Sequence, residues 1–258
     1  ERMYYRLIGM RDTACIATLY RQGRMHPEVS SFANRHFYNG QLCPVPLPHQ
    51  TSTLPYNTYD KASALQALIA THRTAFINCP MPKQEERFKT NSHEAQLCSM
   101  VVKNIIELYR TNGIPYDAHQ TIGIISPFRG QGALIRNELS LLDMEEYTQH
   151  ISIDTVERYQ GSQRDIIIYC TTITSPSQME LIVEAIDPTS PIVNQPIDRK
   201  LNVALTRARM QLFVIGIPQV LDTDCNYRAL INELPQYLHP TAEYSNQSSN
   251  NVPKNSGR

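Results

Sequence analysis

The sequence has no excess charge of either sign and no long apolar run. Lysine and arginine total 24, and aspartate and glutamate total 24, so the formal net charge is zero. A protein that binds polyanions by general phosphate attraction usually carries a basic excess, and the observed balance disfavours such a protein. No apolar run approaches the roughly 20 residues that a bilayer-spanning helix needs, so we expect no membrane partner.

Metal-binding patterns are also missing. No two of the six cysteines form a CxxC pair, and the eight histidines form no HxxxH pair or Cys/His cluster. We therefore expect no structural zinc. Reduced, buried thiols in an intracellular protein are the simplest interpretation of the cysteines, which are Cys15, Cys43, Cys79, Cys98, Cys170 and Cys225.

Three catalytic motifs are absent as well. The sequence contains no GxxxxGK[ST] phosphate loop, no GxSxG elbow and no HExxH helix. The run Asp143-Met144-Glu145-Glu146 looks like an acidic magnesium motif, but it falls at a predicted helix end rather than after a strand. We therefore predict no metal ligand in this chain.

Apolar runs of strand type recur along the chain, and one of them is apolar throughout, which indicates burial on both faces. Helical spacing and capping residues occupy the stretches between them. This alternation predicts an α/β fold with a mostly parallel sheet and helices on both faces. The predicted strands are 74–79, 121–125, 151–153, 165–170 and 211–216.

The predicted helices begin at Pro27, near Lys61, after the capping-box pair Asn91 and Glu94, near Gln131 and at Arg199. The last of them is expected to reach Arg209, with Asp198 as its cap. Prolines between 44 and 55 argue against both helix and central strand in that segment, and the polar loop with Pro176, Pro188, Pro191 and Pro196 precedes the last helix.

The chain divides into three parts on composition. We expect a lead-in from a preceding domain or linker at 1–25, one domain at 26–238, and a disordered tail rich in Ser, Asn, Gln and Pro at 239–258. The chain begins with Glu1 and no apolar core follows, so we expect no signal peptide and a longer parent protein.

Two segments beside strand-type runs carry the clearest chemistry. They are Asp154-Thr155-Val156-Glu157-Arg158-Tyr159-Gln160-Gly161 and Leu201-Asn202-Val203-Ala204-Leu205-Thr206-Arg207-Ala208-Arg209. Together they resemble motifs V and VI of superfamily 1 helicases, most closely the up-frameshift and senataxin-like branch. The resemblance implies that Arg207 points at the γ-phosphate of ATP, where an arginine stabilises the charge of phosphoryl transfer.

The motif V resemblance implies further roles. Thr155 matches a threonine that contacts nucleic-acid phosphate, and Gln160 and Gly161 match the turn between nucleotide and nucleic acid. The family's usual glutamate falls on Gln163, whose neutral amide can still hydrogen-bond a ribose hydroxyl. Asp165 is expected to orient the turn.

Residues 21–28, Arg-Gln-Gly-Arg-Met-His-Pro-Glu, resemble the family's Gln-Tyr-Arg-Met-His-Pro motif. The resemblance makes Arg24 a second γ-phosphate contact. The tyrosine that often stacks on adenine is Gly23 here, so we expect a weaker grip on the base unless another ring substitutes.

Ser126-Pro127-Phe128-Arg129-Gly130-Gln131 resembles motif IV, in which Ser126, beside Pro127, would touch the nucleic-acid backbone. Ser126 and Thr155 each follow a predicted strand, at the sheet edge where such folds bind ligands. A dinucleotide site is the alternative hypothesis, since Gly130 and Gly132 follow a strand and open a helix. The third glycine of the GxGxxG dinucleotide-binding motif, however, falls on Ile135.

Family membership implies a RecA-like domain that uses ATP and magnesium, both bound mainly by a preceding RecA-like domain of the same protein. It also implies a track of single-stranded DNA or RNA with five-prime-to-three-prime movement. We therefore interpret the chain as the second motor domain of a helicase, inactive as an ATPase by itself because it lacks the phosphate loop. Gly23 and Gln163 motivate the alternative of a nucleic-acid-binding module that no longer hydrolyses ATP; a nicotinamide oxidoreductase is a third, weaker hypothesis.

Overall fold

The computed structural model describes residues 19–57, 62–82, 89–183 and 198–238. Its strands are β1 (Arg21–Gln22), β2 (Cys43–Pro44), β3 (Thr74–Asn78), β4 (Ile122–Ile125), β5 (Ser152–Asp154), β6 (Arg164–Cys170), β7 (Ala208–Gly216) and β8 (Gln236–Leu238). The first two form a small parallel ribbon, and the other six form one sheet in the order β5-β4-β6-β7-β3-β8. Every pairing in that sheet is parallel.

Helices occupy the connections between the strands. They are α1 (Pro27–Phe37), α2 (Pro48–Thr51), α3 (Ala64–Thr71), α4 (Ser92–Thr111), α5 (Arg129–Ser140), α6 (Glu145–Thr148), α7 (Met179–Ile182), α8 (Arg199–Leu205), α9 (Pro218–Leu221) and α10 (Cys225–Glu233), with a 3-10 turn at Pro176–Gln178. In the described ranges, none of them has the length and apolarity of a membrane-crossing helix.

The two central strands are covered on both faces. Consecutive residues from Ile166 to Cys170, and from Gln211 to Gly216, are all buried. Because neighbouring side chains of a strand point to opposite faces, unbroken burial requires cover on both sides. The predicted α/β fold with a parallel, doubly covered sheet is confirmed, and each of the five predicted strands is present within one to three residues at its ends.

The last predicted helix is shorter than expected. We predicted that it reaches Arg209, but α8 ends at Leu205, and Thr206 closes it by donating its hydroxyl to the Asn202 carbonyl at 2.7 Å. Ala208 already pairs with Arg164 at the start of β7. Strand pairing therefore overrides the helical spacing, and Arg207 lies in the turn between helix and strand rather than on a helix face.

The proline-rich segment is more ordered than predicted. It contains the two-residue strand β2 and the one-turn helix α2. Pro48 is the first residue of α2, a position where its missing N–H costs nothing. The prolines at 188, 191 and 196 lie outside the described residues, and residues 217–238, for which no pattern was recognised, hold α9, α10 and the edge strand β8.

Part of the predicted lead-in belongs to the folded unit. Met25 is 4 % exposed and lies in the hydrophobic core. The remaining residues predicted as lead-in, 1–18, and the predicted tail lie outside the described residues. Of the cysteines, Cys79, Cys98 and Cys170 are buried, as expected, whereas Cys43 and Cys225 are exposed; Cys15 is outside the described residues.

The predicted capping box is half realised. Asn91 accepts a hydrogen bond from the Glu94 N–H at 3.1 Å, which caps α4. The Glu94 carboxylate, which is fully buried, instead accepts hydrogen bonds from the Thr171 hydroxyl at 3.1 Å and the Thr172 N–H at 2.8 Å. It thereby fixes the chain after β6, where Thr172 adopts φ 71°, an unfavourable conformation for a β-branched residue.

A short connection crosses the sheet between β5 and β6. These strands are separated by β4, and residues 155–163 carry the chain from the carboxyl end of one to the amino end of the other. Tyr159 of this crossover is 1 % exposed and lies directly over Gly123, where an added Cβ would stand 2.1 Å from the Tyr159 hydroxyl oxygen. Glycine in β4 is therefore required for the crossover to lie against the strand.

Gly123→Ala is predicted to destabilise the protein by about 1–3 kcal/mol, because the new methyl group overlaps Tyr159. Gly130→Ala is the matched control, since its Cβ would meet its nearest neighbour at 3.4 Å, an ordinary contact. Tyr159→Phe should partly rescue Gly123→Ala by removing the nearest atom. Chemical unfolding of the three single variants and of the double variant Gly123→Ala/Tyr159→Phe measures these differences. Equal stability of Gly123→Ala and Gly130→Ala would contradict the predicted overlap.

Helices α1 and α10 are joined by one carboxylate. Glu233 binds the Arg35 guanidinium and the His36 ring, each at 2.5 Å, and the His36 ring stacks on Phe32 at 4.3 Å. Partial burial alone would raise the pKa of Glu233, but the hydrogen bonds from Arg35 and His36 outweigh it and lower that pKa below its usual value.

A lowered pKa means that Glu233 stabilises the fold above the pKa of the unfolded chain and loses this contribution as the pH falls through the folded pKa. Glu233→Gln is predicted to cost about 0.5–1 kcal/mol at pH 7, given the partial exposure of the partners, and nothing at a pH below the folded value. Free energies of unfolding across this range test it. A difference between wild type and variant that does not change with pH would be the contrary result.

Candidate functional site

Arg24 lies in a tight turn that the Gln22 side chain organises. The Gln22 amide oxygen accepts hydrogen bonds from the N–H groups of Arg24 at 3.1 Å and Met25 at 2.8 Å, and its NH₂ donates to the Met25 carbonyl at 2.9 Å. The His26 N–H then donates to the Arg209 carbonyl at 2.7 Å, which docks the turn on β7. Sequence reasoning assigned no role to Gln22, although it matches the first residue of the family motif.

The proline-rich segment supports the same turn from outside. His49 contacts the Arg24 carbonyl at 3.0 Å, and the buried Gln50 amide donates to the carbonyls of Gln22 and Met25 at 3.0 and 2.8 Å. Helix α2 therefore fixes the backbone that carries Arg24, a role that the proline pattern did not predict.

Arg207 lies next to Arg24. Its Nε donates to the Val203 carbonyl at 3.0 Å and its Nη2 to the Thr206 hydroxyl at 3.3 Å, so the side chain is held against the end of α8 and is 9 % exposed. Arg24 reaches the same turn, because its Nη1 donates to the Thr206 carbonyl at 3.2 Å. The two arginines, which are distant in sequence, are brought together.

The two guanidinium groups lack an acidic partner within the described part of the chain. Burial, and then the positive charge of Arg24, lower the pKa of Arg207. Two neighbouring positive charges without a carboxylate between them repel each other, and an anion that binds both would remove this cost. The arrangement therefore suits a phosphate group.

Gln163 completes this cluster. Its amide oxygen accepts a hydrogen bond from the Arg24 Nε at 3.1 Å, so the amide that replaces the family's glutamate contacts an arginine. Gln160 and Gly161 lie on the exposed turn just before it, where Gly161 adopts φ 91°, a conformation that favours glycine. Gly23 is exposed beside Arg24, and a Cβ there would stand 3.2 Å from the Leu47 side chain.

Asp165 joins the start of β6 to β7, and its expected role in orienting the preceding turn stays a prediction. Its carboxylate accepts a hydrogen bond from Arg209 at 2.8 Å, and both side chains are about one-third exposed. Burial raises the pKa of Asp165, although the Arg209 charge acts in the opposite direction. The positive charge of Arg209 therefore favours the ionised form of this carboxyl group.

Ser126, Pro127 and Thr155 lie elsewhere, at the carboxyl ends of β4 and β5. The two strand ends are adjacent, and the Ser126 N–H donates to the Asp154 carbonyl at 3.1 Å. The Ser126 hydroxyl is 1 % exposed and turns inward to Thr172, 3.1 Å away, and to the Phe128 backbone. Its predicted contact with nucleic acid stays a prediction, and in this conformation Thr155 is the more accessible of the two hydroxyl residues.

A cavity of about 230 Å³ opens at these strand ends. Its walls include three arginines, of which Arg129 and Arg136 are on α5 and Arg158 is on the crossover. Sequence reasoning singled out none of the three, and the signal available was the spacing of seven between the first two, which puts both on one helix face.

The two groups of residues lie at opposite ends of the sheet. Arg24, Gln163 and Arg207 are at the amino ends of β6 and β7, whereas Ser126 and Thr155 are at the carboxyl ends of β4 and β5. We expected ligands to bind at the carboxyl ends of the strands, and only Ser126 and Thr155 lie there. Among the described residues no cluster of three or more His, Cys, Asp or Glu could hold a metal ion.

The sheet is parallel throughout and covered on both faces, so this is an α/β domain. Two arginines without an acidic partner among the described residues lie at one end of its strands, and a cavity lined by three arginines lies at the other. The AAA domain family matches residues 1–219, and the chain belongs to this family, as a superfamily 1 helicase domain of the up-frameshift and senataxin-like branch.

Three relatives illustrate the relationship. The chain is 30 % identical to Regulator of nonsense transcripts 1 of Dictyostelium discoideum over 90 % of its length, 26 % identical to Helicase SEN1 of Saccharomyces cerevisiae over 82 %, and 25 % identical to Putative helicase mov-10-B.2 of Danio rerio over 86 %. It spans 16 %, 9 % and 21 % of these proteins, respectively, and so less than a quarter of each.

Arg209→Ala is predicted to destabilise the protein by about 1–3 kcal/mol at pH 7, because it leaves the Asp165 carboxylate partly buried without its partner. The effect should shrink in acid, where that carboxyl is protonated and uncharged. The double variant Asp165→Asn/Arg209→Ala should recover most of the loss. Urea unfolding at pH 7 and pH 4 provides the test, and an equal loss at both values would refute the charge dependence.

Proposed function

We propose that this chain is the second motor domain of an ATP-dependent, intracellular helicase, and that ATP binds between it and another RecA-like domain of the same protein. The observation that supports this proposal most directly is the pair Arg24 and Arg207, held at one sheet edge with no acidic partner among the described residues. The helicase names of the relatives agree with it.

The two arginines act on the triphosphate from the side of this domain. Phosphoryl transfer spreads negative charge over the oxygens of the transferred group, and a fixed guanidinium stabilises that charge without reorganisation. Arginine suits the task because its planar fork binds two phosphate oxygens at once. Arg207 has one free arm, since Nη1 makes no hydrogen bond within the described ranges.

Gln163 holds Arg24 in place through its amide oxygen, and the exposed Gln160-Gly161 turn offers backbone amides to a ribose or phosphate. Because the Gln163 amide contacts an arginine of the proposed site, the replacement of the family's glutamate does not by itself favour a module that has lost nucleotide use. Gly23 leaves the base without the family's stacking ring. The metal ion needs ligands from elsewhere, since the described residues supply no cluster for it.

The opposite sheet edge binds the track, which is the single strand along which the motor moves. Thr155 and the loop at Ser126 and Pro127 line or flank the cationic cavity there. Closure of the two domains on ATP and their opening after hydrolysis would shift this edge along the strand. By itself this chain is expected to turn over no ATP, because it has no phosphate loop.

Arg207→Ala, made in the protein that carries both motor domains, is predicted to lower nucleic-acid-stimulated ATP turnover by about 10³–10⁵-fold. Arg207→Lys should restore little, because an ammonium group lacks the bidentate fork. Arg110→Ala, an exposed arginine at the end of α4, is the control and should leave turnover unchanged. A steady-state ATPase assay measures this effect. Turnover at the wild-type rate in Arg207→Ala would contradict the proposed role of Arg207 in phosphoryl transfer.

A further inference from the structure

The cavity at the carboxyl ends of β4 and β5 concentrates positive charge in a chain that is neutral as a whole. Three arginines line it against one carboxylate, that of Asp154. Arg129 and Arg136 are exposed and make no hydrogen bond or ion pair within the described part of the chain. Gly132 and Ala133, which lie between them on α5, also line the cavity and leave room for a ligand.

The size of the cavity limits what it can hold. Pockets for drug-sized ligands usually measure about 300–1,000 Å³, and this cavity of about 230 Å³ is smaller. Phe128 also lines it, and the Lys89 Nζ lies 5.7 Å from the centre of the Phe128 ring, where it can cover one face of that ring. A small anionic unit, such as one sugar with its phosphate, fits better than a complete nucleotide.

Asp154 is the unexpected member of the lining, because a carboxylate repels phosphate. One of its oxygens accepts a hydrogen bond from the Thr155 N–H at 3.1 Å and lies 3.6 Å from the Arg158 Nε. The second oxygen has no partner in the described ranges, and the side chain is 33 % exposed. A free carboxylate oxygen accepts hydrogen bonds and donates none, so it selects a ligand that carries a donor.

We infer that this cavity binds a sugar–phosphate unit of single-stranded RNA, and that Asp154 selects RNA over DNA by accepting a hydrogen bond from the ribose 2′-hydroxyl. Arg129 and Arg136 bind the adjoining phosphate. Since DNA has no 2′-hydroxyl, it would bring its phosphate near the carboxylate without the compensating bond. This inference rests on the proposed function, because it specifies which strand the proposed track edge holds.

The test measures dissociation constants of the 258-residue chain at low salt for three probes of the same base sequence: oligouridine RNA, its 2′-deoxy form and its 2′-O-methyl form. A hydrogen bond to a charged group predicts about tenfold tighter binding of RNA than of DNA. The 2′-O-methyl probe, which has lost the donor, should bind like DNA. This comparison needs no substitution.

Asp154→Ala should bring the affinities for RNA and DNA to within about twofold of each other. Glu107→Ala is the matched control and should keep the RNA preference. Like Asp154, Glu107 is a partly exposed carboxylate with a basic partner four residues away, in its case Lys103 on α4. Asp154→Asn, which retains an acceptor oxygen, should keep part of the preference and substitutes for the alanine variant if that variant unfolds.

The double variant Arg129→Ala/Arg136→Ala should weaken RNA and DNA alike and reduce the salt dependence by about 0.7 per lost phosphate contact. The control variant Arg110→Ala should change neither the affinities nor the salt dependence. Equal affinity of the wild type for RNA and DNA, or an unchanged preference in Asp154→Ala, overturns the inference and leaves the proposed track intact. No binding of either strand, or binding that is insensitive to both cavity arginines, contradicts the track itself.

Discussion

The close approach of Tyr159 to Gly123 is the contact on which the arrangement of both candidate sites depends. It allows residues 155–163 to cross β4 without a helix. Connections between parallel strands usually need a dozen or more residues, and a connection as short as this one must lie close against the sheet. The crossover begins beside the cationic cavity and ends at Gln163, which holds Arg24.

The positive charges of this chain are clustered locally, although its net charge is zero. A chain with no net charge has little general attraction for polyanions, but two of its arginines lie together at one sheet edge and three others line a cavity at the opposite edge. Asp165, beside the first of these groups, is paired with Arg209. In the proposed motor, such local fields would attract the strand at defined points without the general attraction of a large net charge.

The sequence predicted the sheet well because its central strands β6 and β7 contain long apolar runs, and the family resemblance placed Arg24 and Arg207 at one phosphate. It failed where tertiary contacts decide. The spacing at 199–209 is helical, yet pairing of Ala208 with Arg164 ends the helix early. The Glu94 carboxylate accepts hydrogen bonds from Thr171, Thr172 and the Asn91 side chain. The Asn91 N–H, which a capping box would pair with Glu94, donates to Gln131. The cavity was not recognised, because its walls come from separate segments.

A connection that touches both sites has a thermodynamic consequence. If a strand bound at the proposed track site shifts the crossover, the affinity of the proposed nucleotide site changes by some factor. Nucleotide binding must then change the affinity for the strand by the same factor. The close packing of Tyr159 against Gly123 leaves the crossover little room to move toward β4. The contact between Tyr159 and Gly123 would then limit the coupling free energy between nucleotide binding and strand binding.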